Sequence, residues 1–177
     1  MITTGQKIAT QRTEHSRLPE TDLDNIKFGR VFSDHMFVMD YADGAWKAPT
    51  IMPFGDLRMS PAALVLHYSQ TIFEGLKAYR SADGQVNLFR PQANIARMNH
   101  STHRMCMPSI PEDLFMDALL ELVKLDKDWI PKGEEAALYI RPFMFASDEY
   151  IGVRPSDGYR FIIFTCPVGA YYPDPVS

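Results

Sequence analysis

An arginine and a proline, Arg90-Pro91, stand where an alternating stretch gives way to a helical one. Proline suits a first helical turn because its φ is preset and its missing N–H would have no intrahelical partner. A guanidinium beside a helix mouth can hold a phosphate or a carboxylate, since unpaired N–H groups gather there. The plainer reading of Arg90 is a strand-end arginine in a surface ion pair. Tyr139 and Arg141 alternate with Leu138 and Ile140, so both project from one face of a strand. A phenol beside a guanidinium can bind a carboxylate; the alternative is a strand-face ion pair. His100 and His103 are three apart on a predicted helix, a spacing that can share a metal. No third ligand is near, so they read as solvent-facing. Lys77 lies close to Glu74-Gly75. A desolvated lysine can form a Schiff base, but Lys77 falls near Tyr79 on a hairpin strand and reads as structural, pointing to solvent. There is no nucleophile elbow, and Gly29, Gly75 and Gly84 lack the spacing of a nucleotide-binding loop.

These residues need elements to position them. His67 to Met98 (HYSQTIFEGLKAYRSADGQVNLFRPQANIARM) reads as a hinge, a hairpin and a helix start. The hairpin turns at Ala82-Asp83-Gly84-Gln85, because Gly84 takes positive φ at no steric cost. Its flanks LKAYR and QVNLFR alternate apolar and polar, as half-buried strands do. Upstream, Val31–Tyr41 and Trp46–Phe54 read as strands turned by Ala42-Asp43-Gly44, and Ser60 caps a short helical start. Residues from Pro91 to about Met105 form a helix with Ile95, Met98 and Thr102 on one face. Ser109 to Asp113 opens a second, with a cap, a proline in its first turn and acids near its N-terminus. Leu114, Phe115, Ala118, Leu119, Leu122 and Val123 make its apolar stripe, which ends near Trp129. Ala136–Ala146 and Tyr159–Cys166 are strong strands, with Pro142 placing the first at an edge or bulge. The pattern is α+β, a mainly antiparallel sheet with helices packed on one face.

Composition narrows the function. At 177 residues the chain suits one domain, able to bury roughly 70% of its unfolded surface. Net charge is −4 and the basic residues are scattered, so no nucleic-acid partner is expected. No apolar run reaches the roughly 18 residues of a membrane span. Residues 1–25 are a polar, loose lead-in with no signal peptide. Cys106 and Cys166 read as buried, reduced thiols of a cytoplasmic protein and offer no metal framework. Tyr172 to Ser177 reads as a linker.

Taken together, LHYSQTIFEGLKAY, LFRPQANIARM, DKDWIP, LYIRP, IGV and CPVGAYY resemble the branched-chain amino acid aminotransferases, within the fold-type IV pyridoxal phosphate enzymes. The resemblance runs from about Phe28 to Tyr172. It implies that residues 1–170 are an N-terminal small domain, that 171–177 begin an interdomain loop, and that a C-terminal cofactor domain lies outside this chain. It implies Arg90 as the holder of the phosphate of pyridoxal 5'-phosphate. Phe28, Phe73 and Tyr139 would wall the substrate pocket, where aromatic area suits a branched aliphatic side chain. Tyr68 would be lent across a homodimer interface, with Ile151 and Val153 from the same partner loop. Arg141 would orient a substrate carboxylate, and Tyr171 would shield the site. Gly75 reads as backbone geometry, and Glu74 is given no role. No catalytic residue is expected here, because the family's Schiff-base lysine would lie beyond Ser177. The implied reaction is ping-pong transamination of leucine, isoleucine or valine with 2-oxoglutarate, and the chain alone is expected inactive. The alternatives are a D-amino acid aminotransferase, an aminodeoxychorismate lyase, or a non-catalytic binding or assembly module.

Overall fold

The computed structural model describes residues 7–133 and 136–169. Its strands are β1 (Ala9–Thr10), β2 (His35–Ala42), β3 (Ala45–Trp46), β4 (Thr50–Pro53), β5 (Thr71–Phe73), β6 (Leu76–Arg80), β7 (Val86–Leu88), β8 (Ala137–Ala146) and β9 (Tyr159–Val168). They form one sheet ordered β1-β4-β2-β9-β8-β6-β7, with β3 beside β2 and β5 beside β8. The β1–β4 pair is parallel, and the other pairings are antiparallel. The helices are α1 (Leu64–Tyr68), α2 (Pro91–Arg104) and α3 (Glu112–Leu125). This is the α+β architecture read from the sequence.

The sheet has two unlike faces, and strand alternation creates both. Leu138, Ile140 and Met144 of β8 and Phe161 and Ile163 of β9 point into the main core. There they meet Ile95 and Met98 of α2 and the whole predicted stripe of α3. Each fully buried Leu, Ile or Phe contributes about 1.5–3 kcal/mol, so this layer holds both helices on one face. Tyr139, Arg141, Phe143 and Phe145 point the other way, beside Ile162, Phe164 and Cys166 of β9. Val65 of the short helix α1 also packs on this face, and the face turned away from α2 and α3 carries the candidate chemistry.

The hairpin turns where its Asp-Gly pair predicts, with Gly84 at φ +83° and its N–H bonded to the Ser81 carbonyl. The Asp43-Gly44 turn has both residues at positive φ, the twist a tight hairpin requires. Other expectations change. Pro142 is neither at an edge nor in a bulge: β8 is central and its ladder with β9 is continuous. It is tolerated because its other flank faces the break between β5 and β6. The Pro142 carbonyl accepts the Glu74 N–H there, at 2.9 Å. N–H and C=O of one strand residue face the same side, so the missing donor faces a place where the ladder is already interrupted.

From Thr13 to Arg17 the lead-in is tied down rather than loose. The buried Asp34 accepts bonds from the Ser16 hydroxyl and the Arg17 N–H, and His35 Nε2 accepts the Thr13 N–H. The predicted strand from Val31 begins at His35, and the one from Trp46 to Phe54 splits into β3 and β4. Ser109 does not cap α3. Pro111 holds the N-cap position, and the Ser109 carbonyl accepts the Trp46 indole N–H. Cys106 is exposed, not buried, while Cys166 is buried. Among the described residues no helix is long and apolar enough to cross a membrane.

Candidate active site

A cleft of about 320 Å³ opens on the sheet face turned away from α2 and α3. Tyr139, Arg141 and Phe143 of β8 make its floor, with Phe164 and Cys166 of β9 beside them. Thr71 and Phe73 of β5 form one wall, and Phe28, Gly29 and Phe32, from the turn before β2, form the other. Four of the sequence-predicted site residues therefore meet in one place: Phe28, Phe73, Tyr139 and Arg141.

Their geometry is aromatic with one cation. The Phe28 and Tyr139 rings meet edge to face, 5.4 Å between centroids. The Arg141 guanidinium carbon lies 4.2 Å from the Phe73 ring centroid and 5.4 Å from that of Tyr139. Among the described residues Arg141 forms no ion pair, so the strand-face ion pair is not what this structure shows. Its charge is held by ring faces, which leave the guanidinium edge available for a carboxylate. Burial pushes the Cys166 thiol's pKa up, against the lowering effect of the Gly29 N–H and Arg141. A protonated thiol is an apolar wall and not a nucleophile.

Gly75 and Glu74 set this wall from behind. Gly75 is not at positive φ. It is glycine because a Cβ there would collide with the Tyr139 hydroxyl. Glu74, given no role in the sequence reading, is buried and bonded bidentately to Arg97, with Nε–Oε1 and Nη2–Oε2 both 2.6 Å. The Asn94 amide adds a bond to Oε2 at 3.1 Å. Burial alone would raise the Glu74 pKa, but Arg97 and Asn94 outweigh it and hold the carboxylate below its ordinary range.

Arg90 lies outside the cleft lining, at the N-cap of α2. It is exposed, at φ 48° and ψ 48°, and forms no ion pair among the described residues. A left-handed conformation in a non-glycine residue costs of order 1 kcal/mol, and Arg90 adopts it at the residue just before α2. Tyr68, Ile151 and Val153 are also exposed and do not line the cleft. The loop after β8, which carries Ile151 and Val153, is joined to the start of α1, whose last residue is Tyr68. Ala63 bridges Glu149, and the Leu64 N–H donates to the Asp148 carbonyl at 2.9 Å. Arg154 braces that loop by bonding Asp148 and Asp157 and stacking on the Tyr150 ring. Tyr171 lies outside the described residues. Lys77 is half-buried, pairs with Tyr139 in register and does not line the cleft. His100 and His103 are exposed as expected.

Six lining residues escaped the sequence reading: Gly29, Phe32, Thr71, Phe143, Phe164 and Cys166. Phe143 was within reach, two residues from Arg141 on the same face. Phe164 and Cys166 follow once the register is known, since they pair with Arg141 and Tyr139.

Comparison with known proteins bears on this site. No family model matches the chain. It is 49% identical over 175 residues to branched-chain-amino-acid aminotransferase 2 of Bacillus subtilis, covering 98% of this chain and 48% of that protein. The chain is a relative of the branched-chain-amino-acid aminotransferases. It is also 45% identical over 155 residues to the branched-chain-amino-acid aminotransferase of Mycolicibacterium smegmatis, covering 86% of this chain and 42% of that one. The chain thus spans about half the length of the curated relatives it matches. A crystal structure of the Escherichia coli branched-chain amino acid aminotransferase superposes with a TM-score of 0.59 at 25% identity, over 78% of this chain and 41% of that one. The fold is the small domain of such aminotransferases. The T.th. branched-chain amino acid aminotransferase, solved with N-(5'-phosphopyridoxyl)-L-glutamate, shares that fold with a TM-score of 0.54 at 21% identity, over 72% of this chain and 40% of that one.

Proposed function

We propose that this chain is the small-domain part of an enzyme that moves the amino group of leucine, isoleucine or valine to 2-oxoglutarate, giving a 2-oxo acid and glutamate. One observation carries the reading: an aromatic cleft holds a single guanidinium that is stacked on a ring and not ion-paired within the described residues. Phe28, Phe73 and Tyr139 offer apolar area to a branched side chain and ask for few hydrogen bonds. Arg141 offers a bidentate partner to the distal carboxylate of glutamate or 2-oxoglutarate. One cleft thereby serves both halves of a two-stroke exchange.

The residues present also fit a phosphate. Arg90 is exposed at the mouth of a fourteen-residue helix and has no side-chain cap bond, where a phosphate would meet a guanidinium and the positive end of the helix dipole. This is where the phosphate of pyridoxal 5'-phosphate would be held. When bound, that cofactor supplies an electron sink for bond changes at the amino acid's Cα. Within this reading, residues 1–170 form the small domain and 171–177 begin an interdomain loop in which Tyr171 covers the site. The lysine that holds the cofactor would come from beyond Ser177. Tyr68, Ile151 and Val153 would enter the cleft of a second copy, in a cytoplasmic homodimer.

The test is a substrate panel on the protein made from the full reading frame that contains this chain. Glutamate should form from 2-oxoglutarate with leucine, isoleucine and valine, and far more slowly with aspartate or D-alanine. Preference for D-alanine would overturn the assignment. The 177 residues alone should form no glutamate.

A further inference from the structure

Glu74 stands between Phe73, which ends β5, and Gly75, which precedes β6. This is the break in the sheet opposite Pro142. The residue is 6% exposed, and both its carboxylate oxygens are paired. A buried carboxylate is costly unless its oxygens are matched by donors, and here the side-chain donors come from α2. Asn94 and Arg97 lie one turn apart on that helix, and the Asn94 amide also reaches the Gly75 carbonyl at 3.3 Å. The helix begins at Arg90. On the strand side, Phe73 carries the Arg141 guanidinium, and Gly75 gives the Tyr139 hydroxyl its space. One carboxylate therefore joins the helix whose mouth presents Arg90 to the residues that shape the cleft.

We propose that Glu74 is a positioning residue, whose pairing with Arg97 and Asn94 fixes the separation between Arg90 and the cleft wall at Phe73, Gly75 and Tyr139. It rests on the reading that the cleft takes the aliphatic substrate and Arg90 the cofactor phosphate. A cofactor held at one point and a substrate held at another meet productively only at a set separation, and a misplacement of about 1 Å can cost roughly 100-fold in rate. Asn94 and Arg97 are not needed for the core of α2, which is made by Pro91, Ile95, Met98 and Thr102. Their side chains act on the junction instead.

The experiment uses the protein from the full reading frame and three variants: Glu74→Gln, Arg97→Lys and Phe73→Ala. Three quantities are measured for each: the melting temperature, the dissociation constant for pyridoxamine 5'-phosphate, and kcat and KM for leucine. Glu74→Gln should lower kcat and raise both the dissociation constant and KM, each by about tenfold, beyond what its melting temperature accounts for, and Arg97→Lys should fall between it and wild type. A lower melting temperature with unchanged cofactor affinity and KM would make Glu74 merely structural and overturn the proposal. Phe73→Ala separates the two failures. If it shifts KM and Glu74→Gln does not, the cleft reading stands and the positioning role falls. If neither shifts KM, the cleft reading falls and takes the positioning role with it.

Discussion

The Arg141 guanidinium stacks on the Phe73 ring, 4.2 Å from carbon to centroid, across two neighbouring strands. The contact places a charge at the edge of an otherwise apolar cleft without neutralising it. Arg141→Ala should therefore discriminate between substrates. In the protein from the full reading frame, KM for 2-oxoglutarate should rise roughly tenfold or more, since a charged hydrogen bond is lost. KM for the branched-chain amino acid should change much less. Steady-state kinetics with each substrate varied in turn would read this, and unchanged 2-oxoglutarate kinetics would remove Arg141 from carboxylate recognition.

Gly75 and Tyr139 make a second pair. A Cβ at position 75 would collide with the Tyr139 hydroxyl. Gly75→Ala should destabilise the fold by about 1–3 kcal/mol, the usual cost of overfilling a packed site. Adding Tyr139→Phe removes the colliding oxygen and should recover part of that loss, which chemical denaturation of the two variants would measure. If the two costs simply add, the collision is not the reason for glycine.

Two buried carboxylates predict how stability responds to acid. For Asp34, burial alone would raise the pKa. Bonds from the Ser16 hydroxyl, the Arg17 N–H and the Trp129 indole, with the Arg17 charge, outweigh it and hold the group below its ordinary 3.8. Glu74 is likewise held below its ordinary 4.5. A carboxyl depressed in the folded state stabilises it above the unfolded value, and this contribution is lost as pH falls through the folded value. Urea midpoints should be flat above about pH 5 and drop steeply below about pH 4. Asp34→Asn should lower the plateau and flatten the acid limb; an acid limb identical to wild type would exclude Asp34 as a source.

The exposed apolar side chains of Tyr68, Ile151 and Val153 predict an assembly effect. Val153 is 91% exposed, so Val153→Asp should leave the melting of a monomer unchanged. A charge placed in a buried apolar contact is disfavoured, so the same change should shift the full-length protein from dimer toward monomer in sedimentation. A wild-type protein that sediments as a monomer would contradict the shared-site reading.

Much of the fold was legible from local chemistry. The Asp83-Gly84 turn, the α3 stripe and the two long strands need only nearby residues to be recognised. The site was legible in part, because Tyr139 and Arg141 share a face by strand period alone. What escaped was non-local. The use of glycine at 75 depends on a tyrosine 64 positions away in the chain, and Glu74 finds its partners only when α2 packs across the sheet. Pro142 misled for the same reason: its tolerance rests on a break in a neighbouring strand.

The most direct test of the central claim is a crystal structure of the protein from the full reading frame with 4-methylvalerate, an aliphatic carboxylate with a leucine-like chain. The alkyl group should lie against Phe28, Phe73 and Tyr139, in the cleft on the face turned away from α2 and α3. A ligand bound elsewhere, with that cleft empty, would contradict the account.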